Sequence, residues 1–183
     1  MSSQRILIAC IGNIFLGDDG FGVEVAHRLL HREHKLYPPS VVVVDFGIRG
    51  IDLAYSLLDG YDTLVLVDAI PRGGPPGTLY LIEPDLASEK NMQASRTTLD
   101  AHGMDPVKVL AFARTLGTIP PRILLVGCEP MHHLSGEDTE MQMGLSEPVQ
   151  AAVDKAISFI DQLIEDLFSA REIEKGTISC LNT

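Results

Sequence analysis

Positive charge is scarce in this chain. Its 183 residues carry 14 Lys and Arg against 25 Asp and Glu, a formal charge of -11 at pH 7. Phosphate backbones are gripped by clustered cations, so this balance argues against a nucleic-acid partner. Cysteine is scarce too: Cys10, Cys128 and Cys180 are odd in number, far apart and without a CxxC pair. That excludes a disulfide framework and fits a reduced compartment. No apolar run approaches the ~18 residues of a membrane span. The opening MSSQRILIACIG has one Arg and a short apolar run, and reads as a first strand rather than a signal peptide. Repeats and linkers are absent as well. The expectation is a cytoplasmic protein without a membrane partner, a monomer or weak oligomer.

What remains is 45% hydrophobic. A chain of this length buries about 70% of its unfolded surface in one core. We expect one α/β domain over residues 1–168 and a polar tail, 169–183, without fixed order. Buried-strand runs occur at RILIACI (5–11), VVVVDF (41–46), TLVLVDA (63–69), GTLYLI (77–82) and RILLVGCE (122–129). Helical spacing marks 22–33, 51–58 and 105–116, the last with Asp105 as N-cap and Pro106 in its first turn. A long amphipathic helix opens at Ser146 and runs to Leu167. Alternating strands and helices imply a three-layer α/β/α sandwich with a mostly parallel, twisted five-stranded sheet. Ligands of such sheets bind outside the carboxyl ends of the strands. That edge collects Asn13, Asp18 and Asp19, then Asp45 to Arg49, Asp68, and Cys128 to His133.

The stretch IGNIFLGDDGFG (11–22) has the glycine spacing of a phosphate loop, but Asp18 and Asp19 replace the required Lys and Ser or Thr. Phosphate would meet like charge there; a cation would not. One acid can cap the helix that follows while the other points into the cleft. We assign the cap to Asp18 and the cleft to Asp19. Gly17, Gly20 and Gly22 mark backbone that needs positive φ or close approach.

Asp68 ends an apolar strand, where a carboxylate is costly unless bonded, paired or metal-bound; loop N–H groups would also satisfy it. His102 lies in an irregular segment able to fold over the same edge, although a loop histidine is commonly solvated. His132 and His133 share that plainer explanation, and Cys128 reads as core. Two carboxylates and an imidazole form a ligand set suited to zinc or nickel. Two close carboxylates can instead share a proton as an acid/base pair. No Ser–His or Cys–His pair stands out, which disfavours an acyl-enzyme route.

The segments GNIFLGDDGFGVEVAHRL (12–29), VDA (67–69), His102 and VGCEP (126–130) resemble the hydrogenase maturation endopeptidases. The resemblance runs from about Arg5 to Leu167. It implies a protease, often classed as aspartic-type, that removes the C-terminal extension of a nickel–iron hydrogenase large-subunit precursor. It also implies that Asp19, Asp68 and His102 contact nickel already inserted in that precursor, as metal-contacting and catalytic residues. Nickel would then belong to the substrate; zinc or cadmium could stand in for it, and the isolated protein could hold no metal. DFGIRG (45–50) departs from the Asp-Gly-Gly-Thr of many members and resembles maturases of bidirectional, NAD-linked hydrogenases. Arg49 there could meet an acidic group on the precursor, or be a plain surface arginine. The alternatives are a noncatalytic nickel-binding accessory protein and a general metal-dependent peptidase.

Overall fold

The computed structural model describes residues 4–33, 37–84, 106–131 and 143–179. Five strands form one sheet: β1 (Ile6–Ile11), β2 (Val41–Gly47), β3 (Thr63–Ala69), β4 (Leu79–Ile82) and β5 (Arg122–Cys128). Their order is β2-β1-β3-β5-β4. Every pairing is parallel except β4 with β5. β1 is buried along its whole length, which explains why ILIACI shows no polar alternation.

Among the described residues four α-helices accompany the sheet: α1 (Phe21–His31), α2 (Gly50–Ser56), α3 (Pro106–Leu116) and α4 (Glu147–Ser179). Alternate strand residues divide the core in two. Ile6, Ile8 and Cys10 face α1 and α4, packing with Phe21, Val25, Val153 and Ile160. Leu7, Ala9 and Ile11 face α2 and α3, packing with Leu53, Leu57 and Leu110. The α/β/α sandwich expected from the sequence is the fold observed.

Two differences concern helices. α4 runs on to Ser179, past the end expected near Leu167. Asp18 gives α1 no side-chain cap; the helix starts from Gly20 uncapped. The Asp105 cap falls outside the described residues, although α3 does begin at Pro106.

The loop between β1 and α1 is shaped by backbone crowding. Gly12 has φ 142°, and a Cβ on it would overlap the Asp19 carbonyl oxygen. A Cβ on Gly22 would overlap the carbonyl oxygens of Ile11 and Val67. α1 therefore starts directly on the backbone of β1 and β3. Among the described residues no helix is long and apolar enough to cross a membrane.

Candidate active site

β1 and β3 are neighbours, but the chain leaves β1 for β2 on one side before returning to β3 on the other. Their carboxyl ends therefore flank the point where strand order reverses, the place where such sheets leave a crevice. Asp19 follows β1 in a short 3-10 turn (Gly17–Gly20), and Asp68 lies at the end of β3. Both side chains are half-buried.

Asp19 accepts a hydrogen bond from Asn13 N–H at 2.8 Å, and Asp68 accepts one from Ala69 N–H at 2.8 Å. Burial raises the Asp19 carboxyl above its usual range, opposed by the Asn13 bond. Asp68 is raised well above that range, first by burial and then by the negative charge of Asp19, with its Ala69 bond opposing. Two carboxyls in this relation do not ionise together freely. Asp68 is the one held toward its neutral form. Such a pair can accept a cation, or can work as acid and base.

Asp18 and Asp19 divide their tasks, but not through a cap on α1. Asp18 is buried and spends its carboxylate on partners other than α1. It accepts from Met131 N–H at 2.8 Å, from Ser146 N–H at 2.6 Å and from Ser146 Oγ at 2.9 Å. It thus ties the exit of β5 to the start of α4, where a negative charge also complements the helix dipole.

The rest of the expected site is mixed. His102, His132 and His133 lie outside the described residues. Among the described residues no group of three or more His, Cys, Asp and Glu side chains is placed to hold a metal ion. Cys128 is fully buried core, its thiol pushed up to about 12 by burial and by Asp18 and Glu129. Arg49 is exposed at the rim, donating to the Asp45 carbonyl and pairing with Asp52 at 3.3 Å.

Sequence reasoning gave Glu129 no task, yet it is 1% exposed and heavily bonded. Its carboxylate accepts from Arg72 N–H at 2.9 Å, Gly73 N–H at 2.9 Å and Tyr80 hydroxyl at 2.8 Å. Burial alone would raise this carboxyl, but those donors with Gly74 N–H hold it below its usual range. The loop leaving Asp68 is therefore wrapped around a fixed anion. A glutamate directly after a buried strand, with a glycine-rich turn elsewhere in the chain, was the available signal.

Comparison with known proteins identifies the family and the fold. The family model described as hydrogenase maturation protease (HycI) matches residues 23–163. The hydrogenase expression/formation protein HupD of Rhizobium leguminosarum bv. viciae is 35% identical over 158 residues, covering 85% of this chain and 70% of that one. HoxM of Cupriavidus necator is 33% identical over 150 residues, covering 82% and 71%. Among solved structures, the hydrogenase maturating endopeptidase HybD from E. coli superposes with a TM-score of 0.68 at 27% identity, covering 89% of this chain and 93% of its own. The hydrogenase 2 maturation peptidase of a Thaumarchaeota archaeon gives 0.63 at 31%, covering 88% and 99%. With the family model matched over most of the chain and relatives of 33–35% identity beside it, this chain belongs to the hydrogenase maturation protease family, hydrolases that act on peptide bonds.

Proposed function

We propose that the chain removes the C-terminal extension of a nickel–iron hydrogenase large-subunit precursor after nickel insertion, and reads the inserted nickel as its signal to cut. The observation that carries this is the pairing of Asp19 with Asp68 at the strand-order reversal, close enough for one charge to raise the other. A half-buried, mutually repelling acid pair gains from a divalent cation brought between its members. Here the cation arrives with the substrate. His102 is the third proposed contact.

Docking of the precursor's nickel then fixes its tail beside the cleft. Hydrolysis places a water oxygen on the scissile carbonyl carbon, breaks the C–N bond and leaves the nitrogen protonated. The ionised carboxylate of the pair would take the water's proton, and the substrate's ion, where it meets that water, would supply polarisation that makes the proton easier to remove. The aspartic-type assignment rests on the carboxylates, of which Asp68, held toward neutrality, has a proton to give. The DFGIRG segment (45–50) is what supports a bidirectional, NAD-linked hydrogenase as the source of the precursor in this proposal.

The test is incubation with purified large-subunit precursor, with and without nickel, read by mass. The expected result is loss of one C-terminal peptide only from nickel-loaded precursor. Asp19→Asn and Asp68→Asn should abolish that loss while each variant still melts cooperatively. Full processing by either variant would overturn the site assignment, and equal cutting without nickel would overturn its role as signal. Retained nickel with an unshortened precursor would instead indicate a carrier.

A further inference from the structure

Ile14 and Phe15 occupy the tip of the loop after β1, where turns normally place Gly, Asn, Asp or Ser. Both are large, apolar and about half exposed, at 47% and 49%. The turn that displays them is closed by two hydrogen bonds to Asn13's own oxygens. Leu16 N–H donates to the Asn13 carbonyl at 3.0 Å, and Phe15 N–H donates to Asn13 Oδ1 at 3.0 Å. Beneath it, Gly20 lets the backbone of Ile14 approach: a Cβ on Gly20 would stand 3.2 Å from Ile14 Cα. The base of the turn is the acid site itself, since Asn13 N–H is the donor to Asp19 Oδ2 at 2.8 Å.

We infer that this turn is a preformed docking tip for an apolar segment of the protein substrate next to the bond to be cut. The inference rests on the precursor-processing function proposed above. A solvated tip gains nothing from two large exposed apolar side chains, whereas a contact surface does. Continuity with the acid pair points to the substrate as occupant, because a chain crossing Asp19 must pass the residues bonded to it. A second copy of this protein is disfavoured: each carries a charge of -11 and would bring a second acid pair to the first.

Processing kinetics with nickel-loaded precursor test this, comparing wild type, the Ile14→Ser/Phe15→Ser double variant and Leu30→Ser. Leu30 is 53% exposed on α1, away from the carboxyl edge, and serves as the control. The double variant should raise KM about tenfold or more, with kcat within about twofold, because two apolar contacts are lost without touching the reacting groups. Leu30→Ser should change neither. An unchanged KM in the double variant, or an equal rise with Leu30→Ser, would overturn the inference. Precursor binding to Asp68→Asn protein, with and without the tip replacements, separates this from the processing reading. If wild type cuts nothing but binding weakens about tenfold on tip replacement, docking stands and processing falls. Equal Kd values, or no binding at all, would sink the docking tip.

Discussion

At the scale of single residues, the acid pair sets function against stability. Asp68 is raised well above the usual carboxylate range by burial and by Asp19, so the folded protein binds its proton more tightly than the unfolded chain does. Between the unfolded value, about 4, and the higher folded one, the native state holds more protons. Stability conferred by this group therefore falls as pH rises through that window and stays reduced above it. Asp68→Asn removes the penalty. Thermal melts at neutral pH should show the variant raised by about 2–4 °C, the scale of a single favourable replacement, while at pH 3 the two proteins should converge. A lower Tm at neutral pH would mean that Asp68 is stabilised in ways its single Ala69 bond does not reveal. Glu129 has the opposite sign. Held below its usual range, it contributes stability above the unfolded value and loses it as pH falls through the folded one. Glu129→Gln keeps the shape but turns an amide toward N–H donors. A loss of about 5 °C in Tm at neutral pH is expected, shrinking on acidification; a constant loss at every pH would show that shape and not charge matters.

At the scale of elements, Asp18 joins three pieces of chain that are distant in sequence. It holds Met131 N–H beyond β5 and both donors of Ser146 before α4, from a turn that precedes α1. Asp18→Ala would take a buried carboxylate from three part-buried donors, at a cost of about 2 kcal/mol. Asp18→Asn, which keeps one acceptor oxygen, should lose less. Urea unfolding checks both, and equal losses would argue that the carboxylate's charge carries the interaction. This junction also marks where sequence reading stops. That only one of the two adjacent acids would be taken up structurally was legible, because a helix cap uses a single carboxylate, but the expected cap on α1 is replaced by bonds to Met131 and Ser146. Which partner Asp18 takes did not follow, since its donors lie 113 and 128 residues away. Asp68 was legible because an apolar strand ending in a carboxylate is costly unless the edge is used. Glu129 was not, because its donors are mostly backbone N–H groups whose direction a sequence does not show.

At the scale of the whole molecule, apolar runs punctuated by Pro and Gly revealed five strands and four helices, but not the order β2-β1-β3-β5-β4 that brings Asp19 beside Asp68. Parallel order is fixed by which faces the helices cover, and that covering comes from far along the chain. α4 shows the dependence most plainly. Val149, Val153, Ile160, Ile164 and Leu167 are all buried against the α1 side of the sheet. Polar ties reinforce the contact: Arg28 meets Asp154 at 2.8 Å, while Arg32 at 3.0 Å and the Tyr37 hydroxyl at 2.7 Å meet Asp161. The site at the opposite edge of the sheet thus rests on a helix that contributes only its anchored first turn near the acids. Ending the chain after Ser158 would remove Ile160, Ile164 and Leu167 from the core. At about 1.5–3 kcal/mol for each buried side chain, the loss is about 5–9 kcal/mol, comparable with the whole stability of a domain, about 5–15 kcal/mol. Such a truncation should show no cooperative melt, whereas Ile160→Ala in the full chain should cost about 2–5 kcal/mol and still unfold in one transition. A truncated chain that melts near the wild-type temperature would place the stability of the α1 face in the sheet and α1 alone, and leave α4 as a covering the acid site does not need.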